Sequence, residues 1–333
     1  MSVITLGHGS GGRLTQALVR EVFVRHFKNE ALEELGDAAR LPAIDGRLAM
    51  TTDGFVVKPL FFPGGDIGKL GIVGTVNDLA VTGAIPMHIS ASFILEEGFP
   101  LADLETVAAS MAAAAELANV QVVTGDTKVV ERGHGDGVFV ITAGIGRIRP
   151  EAPGGPKTVK PGDAVLVSGP VGDHGGVIGA LRSGMELEGL QSDCGPVSGL
   201  VDALYAAGVR PKFMRDPTRG GLATVCAELA GEGGVTVRLR EADLPVRDSV
   251  RSVCDILGLD PLYLACEGRL VSVVPAEQAE KAVKAMQSRP EGKDARAIGE
   301  IAGPGPGPVV LQTTFGGTRL YDILATEQLP RIC

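Results

Sequence analysis

Residues 101–128 read LADLETVAASMAAAAELANVQVVTGDTK. Leu101, Leu104, Ala108, Met111, Ala115 and Ala118 recur at helical spacing, which predicts a helix with one apolar stripe. It runs directly into Val120-Gln121-Val122-Val123, a short β-branched run that predicts a strand. A helix feeding a strand with almost no linker is the signature of an α/β layer. The strand is expected to end in Gly125-Asp126-Thr127-Lys128, and strand-end loops are where α/β proteins place ligand chemistry. The loop offers a glycine for close approach, a carboxylate for a metal and a lysine for phosphoryl charge. A polar surface turn is the other reading of those four residues.

Upstream, Gly7-His8-Gly9-Ser10-Gly11-Gly12 precedes a helical stripe of Leu14, Leu18 and Val22 beside Val19, Phe23 and Phe27. A glycine loop at a helix start can present backbone N–H groups to phosphate, or simply cap the chain flexibly. Leu48-Ala49-Met50-Thr51-Thr52 predicts a short buried strand ending in Asp53-Gly54, with Asp45-Gly46 just before it. After the turn-rich Phe61 to Gly68, a small-residue helix is expected from about Lys69 to Thr82. It carries Asn77-Asp78 among Val73, Val76, Leu79 and Ala80. A carboxylate among apolar neighbours is costly unless paired or metal-bound. Each aspartate alone reads as a turn or cap. Together, Asp45, Asp53, Asp78 and Asp126 suggest convergence on a hard cation such as Mg²⁺, which takes oxygen ligands and nucleotide phosphates.

Downstream, Val138 to Thr142 predicts a strand, and Pro150 to Pro161, with four prolines and Gly154-Gly155, marks a domain boundary. The second half opens with a strand over Asp163 to Gly169 and the turn Gly172-Asp173-His174-Gly175-Gly176. His174 reads as a ligand, a base or a helix-capping turn residue. Arg215-Asp216-Pro217-Thr218-Arg219-Gly220-Gly221 precedes a helix striped by Leu222, Val225, Cys226 and Leu229, and reads as a cap or as an anion holder. Glu267 follows the apolar run Leu262 to Cys266 and is a candidate base, because burial would raise its pKa; a salt-bridged core Glu is the alternative. Strands are expected at Arg269 to Val274 and Val309 to Thr313, with a helix from Ala276 to Met286. The chain closes on Pro330-Arg331-Ile332-Cys333. A terminal thiol is either a stray group on a frayed tail or a carrier presented to a pocket.

Composition narrows the class. The 333 residues include 47 Gly and no Trp, with 4% aromatics and a net charge of -9. An acidic chain without a basic run or aromatic platforms points away from nucleic acid and anionic membrane. Cys194, Cys226, Cys254, Cys266 and Cys333 are odd in number and scattered, which suggests a reducing compartment rather than a disulfide or zinc framework. No apolar run reaches the length of a membrane span, and residues 1–5 lack a signal-peptide pattern, so a soluble cytoplasmic protein is expected.

Read together, Gly7 to Gly12, Phe61-Phe62-Pro63-Gly64-Gly65-Asp66-Ile67-Gly68-Lys69-Leu70, Gly74-Thr75-Val76-Asn77-Asp78-Leu79-Ala80, Gly125 to Lys128, Arg215 to Gly221 and Pro330 to Cys333 resemble the HypE family of hydrogenase maturation proteins. The match runs in order along nearly the whole chain. That family is similar to the PurM-like aminoimidazole ribonucleotide synthetases. The resemblance implies an α/β (α+β) two-domain fold whose N-terminal sheet pairs across a homodimer, ATP in the cleft, and a flexible C-terminal tail. It implies a Gly-rich segment over 1–40, an ATP-binding and dimerisation domain over 41–155, a second α/β domain over 156–312 and a tail over 313–333.

The implied chemistry is an ATP-dependent dehydration. A carbamoyltransferase, HypF, places a carboxamide on Cys333; phosphorylation of the amide oxygen makes phosphate the leaving group; and the resulting thiocyanate supplies cyanide to hydrogenase iron on a HypC–HypD complex. By resemblance, Asp45, Asp53, Asp78 and Asp126 hold Mg²⁺, and Asn77 lies with them in the nucleotide site. Gly9, Ser10, Gly11 and Gly12 close over the triphosphate, which Lys58 touches. Lys128 neutralises the transferring phosphoryl group, Glu267 takes an amide proton, and Arg331 docks the tail or tunes its thiol. Cys266 departs from the family pattern, which has Asn there. It is either a second thiol near the site or a small buried substitute. Rival expectations are another PurM-like ATP enzyme, of the selenophosphate synthetase or thiamine-phosphate kinase type, and a non-catalytic thiol carrier.

Overall fold

A computed structural model describes residues 2–185, 188–304, 307–326, 328–329 and 332–333. Pro330 and Arg331 of the terminal motif, and Gly305 and Pro306 of the Gly/Pro turn, lie outside them.

The first half begins with a turn at Leu6–Gly9 and α1 (Arg13–Leu18). A π-helical turn, Val19–Val24, leads on to α2 (Arg25–Phe27), followed by α3 (Glu30–Glu33). Then come β1 (Leu48–Phe55), β2 (Phe61–Phe62), β3 (Gly65–Asp66), α4 (Ile67–Val81), β4 (Ala84–Glu96), α5 (Leu101–Leu117), β5 (Gln121–Val130) and β6 (Val138–Ile148). Four strands form one sheet in the order β1-β6-β4-β5. β4 and β5 run parallel because α5 crosses over between them, whereas β1 and β4 flank β6 antiparallel. α4 starts where Asp66 Oδ1 accepts the N–H groups of Gly68 (2.7 Å) and Lys69 (3.0 Å). It is buried on nearly every side, between α5, the sheet and the second domain.

The other face of this sheet carries half-exposed apolar side chains from β4 and β6. On β1, Leu48 and Met50 are 51% and 73% exposed. The expectation for β1 is a buried strand ending in Asp53-Gly54. It is instead an edge strand that runs on to Phe55, with alternate residues facing outward. β5 also differs from expectation. Gly125, Asp126 and Lys128 lie inside the strand rather than in a loop after it, because β5 keeps pairing with β4 as far as Val130. Gly125 is required there, since a Cβ would stand 2.2 Å from the Ala91 carbonyl oxygen.

The second half contains β7 (Ala164–Val167), α6 (Asp173–Arg182), α7 (Ser198–Ala206), β8 (Phe213–Arg215), α8 (Gly221–Gly233), β9 (Val235–Arg240) and α9 (Asp248–Leu257). β10 (Val271–Val274), α10 (Ala279–Gln287), β11 (Arg296–Pro304), β12 (Val309–Gln312) and β13 (Thr318–Tyr321) follow. Its seven strands order as β13-β12-β9-β11-β7-β10-β8, with only β12–β9 parallel among these pairs. β10 is buried along its whole length because both faces are covered. Leu222, Val225 and Leu229 of α8 pack on one side; Val201 and Leu204 of α7 and Met286 of α10 pack on the other.

The expected flexible tail ends docked. Ile332 is buried in a cluster shared by Phe55, Val57 and Phe62 of the first domain and Val177, Ile178 and Leu264 of the second. An Ile side chain moved from water to such a site contributes roughly 2 kcal/mol, which holds down the end of the chain.

Candidate active site

A cleft of about 630 Å³ opens between the two halves. Asp53 on β1 and Asp78 on α4 line it from the first domain. Arg215, Asp216, Arg219 and Glu267 line it from the second, and Cys333 enters from the tail. Strand β1 places Asp53 beside α4, and Asp78 is held by the Thr51 hydroxyl, which donates to its Oδ2 at 2.8 Å. Burial, reinforced by Asp78, lifts Asp53 to about 6, with Arg219 opposing. Burial also lifts Asp78, against the Thr51 bond and the charges of Arg215 and Arg219. Asp216 is pushed to about 7 by burial and then by Asp78. Burial, followed by Asp216, Asp193 and Asp53, raises Glu267 well above the usual carboxylate range. Among the described residues its Oε1 is buried without a hydrogen-bond partner. Four carboxyl groups that repel one another, faced by two arginines, form a site that bound positive charge would stabilise.

The backbone around Glu267 is fixed tightly. Asp193 accepts the N–H groups of Glu267 (Oδ1, 3.2 Å) and Gly268 (Oδ2, 3.2 Å), and Arg269 Nε lies 3.4 Å from Asp193 Oδ2. A Cβ on Gly268 would sit 1.9 Å from the Asp193 carbonyl oxygen, so only glycine fits.

Several expected residues lie elsewhere. Asp45 is in a separate groove with His88, Glu116 and Arg147. Asp126 and Lys128 are on β5, where Lys128 Nζ stands 2.6 Å from Asp126 Oδ2 and pulls that carboxyl down. β1 and β5 are opposite edges of the four-stranded sheet, so two intervening strands put Asp53 and Asp126 roughly 14 Å apart at 4.8 Å per strand spacing. One chain therefore does not gather the four aspartates, and among the described residues no three His, Cys, Asp or Glu side chains cluster as a metal site. The glycine loop lies against the same far edge: a Cβ on Gly9 would meet the Val129 N of β5 at 2.8 Å. Lys58 is exposed and faces Asp136 at 3.4 Å, outside the cleft. Asn77 is turned into the seam between the domains. Its Oδ1 accepts the Val197 N–H (2.8 Å), and its Nδ2 donates to the carbonyls of Gly195 (3.3 Å) and Glu267 (3.4 Å). A buried amide with three backbone partners is occupied as a clamp.

Cys266 is fully buried and accepts the Gly172 N–H at 3.1 Å, and burial raises its thiol well above the ordinary range. This is the small buried substitute rather than a second reactive thiol. His174 is buried too and caps nothing. Its Nε2 lies 2.8 Å from the Ile332 carbonyl oxygen. The main omission of the sequence reading was Asp216 as a member of the carboxylate cluster. The apolar run on its far side, Leu222 to Leu229, signals burial, but an Asp-Pro before a helix looks like a cap.

Residues 35–148 match the family AIR synthase related protein, N-terminal domain, and residues 160–310 match AIR synthase related protein, C-terminal domain. The chain is 49% identical over 331 residues to carbamoyl dehydratase HypE of Azotobacter vinelandii, covering 99% of this chain and 97% of that one. A crystal structure of the hydrogenase maturation protein HypE in complex with ATP superposes with a TM-score of 0.95 at 46% identity, covering 99% of each chain. A HypE–HypF complex matches with a TM-score of 0.80 at 46% identity, over 92% of this chain and 100% of that one. The α/β halves are thus the two domains of a PurM-like fold, and the chain belongs to the HypE family of hydrogenase maturation proteins, the carbamoyl dehydratases.

Proposed function

We propose that this chain uses ATP to dehydrate a carboxamide carried on the Sγ of its own Cys333, giving a thiocyanate that supplies the cyanide ligand of [NiFe]-hydrogenase iron. The observation that carries the reading is the docking of Cys333 into the acidic cleft beside Glu267, Asp53, Asp78 and Asp216. A pure thiol carrier has no use for four mutually repelling carboxyl groups around its thiol. The chemistry balances: protein–S–C(O)NH₂ plus ATP gives protein–S–C≡N plus ADP and phosphate. Direct loss of water from an amide would expel hydroxide. Transfer of the γ-phosphoryl group to the amide oxygen turns the leaving group into phosphate, and positioning and electrostatics carry such transfers.

In this reading Glu267 accepts an amide proton through its unpartnered Oε1. Arg215 and Arg219 neutralise phosphate charge. Asp53 and Asp78 fit a hard cation, since their mutual repulsion is relieved by one. Mg²⁺ held by them together with phosphate oxygens would supply charge neutralisation. Asp126, Lys128 and the Gly9 to Gly12 loop complete the site from the partner of a homodimer. The half-exposed apolar face of the first sheet and its two edges, β1 and β5, support that pairing. The same reading keeps the division at the proline-rich segment near residue 155, loading of the tail by HypF, HypC–HypD as cyanide acceptor, and a cytoplasmic setting. No helix among the described residues is long and apolar enough to cross a membrane.

The test is C-terminal-peptide mass spectrometry after incubation with carbamoyltransferase, carbamoyl phosphate, ATP and Mg²⁺. The expected product is a Cys333 adduct that loses one water only when ATP and Mg²⁺ are present. An adduct that persists unchanged would reduce the chain to a carrier.

A further inference from the structure

His174 is buried in the second domain and lies within hydrogen-bond distance of the tail. We propose that His174 is the latch of the C-terminal tail, a positioning residue that sets Cys333 against the cleft and so divides the tail between loading and dehydration. The geometry is a directed hydrogen-bond chain. The Cys194 N–H donates to Ser192 Oγ at 3.1 Å, and Ser192 Oγ lies 2.8 Å from His174 Nδ1. His174 Nε2 lies 2.8 Å from the Ile332 carbonyl oxygen. A carbonyl only accepts, so Nε2 carries the proton and donates. In a neutral imidazole Nδ1 then accepts from the Ser192 hydroxyl, which leaves the Ser192 oxygen to accept from Cys194. Each link has one consistent direction, and all of it is buried. Phe62 stands edge-on to the imidazole at 5.2 Å between centroids and fixes the ring plane. The Ser192 N–H donates to the Pro63 carbonyl at 2.8 Å, so the latch is built across both domains.

The Ile332 carbonyl is one peptide bond from Cys333, whose α-carboxylate oxygen accepts the Val56 N–H at 3.1 Å. The thiol-bearing residue is therefore bracketed by one bond to the first domain and one to the second. The Ile332 side chain is sunk in the shared apolar cluster. Loading by a carbamoyltransferase requires the tail out; dehydration requires it in. A latch that favours the inward tail slows the first step and speeds the second. The division into two steps rests on the proposed function; the latch itself does not.

The experiment compares H174A, H174Q and I332A with the unaltered protein, checking that thermal unfolding stays cooperative. The first readout is the rate of maleimide labelling at Cys333, read on the C-terminal peptide; the other four cysteines are buried. Losing a hydrogen bond of this kind shifts the in/out balance by about five- to tenfold. H174A should label that much faster and I332A up to about thirtyfold faster, as the loss of the buried Ile side chain requires, whereas H174Q, whose amide N–H replaces Nε2–H, should stay within about twofold of the unaltered protein. The second readout separates the steps: H174A should be carbamoylated faster yet dehydrate a pre-loaded tail more slowly. Unchanged labelling in H174A overturns the latch. So does a loss of both steps together, which marks a structural role. Loss of dehydration in H174Q with normal labelling also overturns it, since the imidazole would then act chemically. If the unaltered protein takes no carbamoyl group, the proposed function fails, and the labelling rates still decide the latch.

Discussion

Asp216→Asn should make the protein more stable at alkaline pH. Asp216 is buried, with its carboxyl pushed from 3.8 to about 7 by burial and by Asp78. A carboxyl whose folded pKa is raised favours the folded state while protonated. That contribution is complete below about 3.8 and is lost as pH rises through about 7. At about 1.4 kcal/mol per tenfold, the displacement corresponds to roughly 4 kcal/mol of destabilisation above pH 7. An asparagine keeps the shape and carries no charge, so it removes that burden. A gain of about 2–4 kcal/mol is expected at pH 8. At pH 5, where the folded Asp216 is already protonated, the gain should fall to under about 1.5 kcal/mol. Urea denaturation at the two pH values, without nucleotide or divalent cation, measures the difference. A gain of equal size at both values, or a loss at pH 8, would refute the account of this cluster. A more stable and less active variant is the expected pattern where a site stores repulsion for function.

Other substitutions test other parts. Asn77→Ala leaves the buried Val197 N–H without its acceptor and cuts two longer bonds, so a loss of about 2–3 kcal/mol is expected in denaturant melts; a change under about 0.5 kcal/mol would show the seam to be held elsewhere. Lys128→Ala breaks a largely exposed pair, so stability should move by less than about 1 kcal/mol while ATP-dependent water loss drops by at least about tenfold. Mixing that variant with Glu267→Gln should restore part of the activity if the site is shared between partners, and none if each chain works alone. The dehydration rate of a pre-loaded tail should fall as pH drops through about 6, where Asp53 takes up a proton and loses its hold on a cation. A rate flat from pH 8 to 5.5 would exclude that role.

Much of this was legible in the chain because local chemistry was undisguised. The α5–β5 junction announced itself through helical spacing followed by a β-branched run, and Glu267 through a carboxylate set after apolar residues. Strand order is not local, so nothing in the sequence revealed that Asp53 and Asp126 lie on opposite edges of one sheet. His174 looked like a turn residue because its partner, Ile332, is 158 positions away. β4 was hidden by Pro86 and by small residues such as Ser90, Ala91 and Ser92. Two misses had signals: Val235 to Arg240 alternates strictly, and Val250, Val253, Cys254 and Leu257 recur at helical spacing. Asn77 read as a nucleotide contact because its amide can serve either a ligand or a neighbouring backbone, and only the packing of the second domain shows which.

The central claim is that ATP activates the amide oxygen on Cys333. It is tested most directly by loading the tail with a carboxamide labelled with oxygen-18 and weighing the inorganic phosphate released with the thiocyanate. The account predicts one labelled oxygen in each phosphate formed, because the C–O bond breaks while that oxygen is bonded to phosphorus. Label found in water, with unlabelled phosphate, would contradict it.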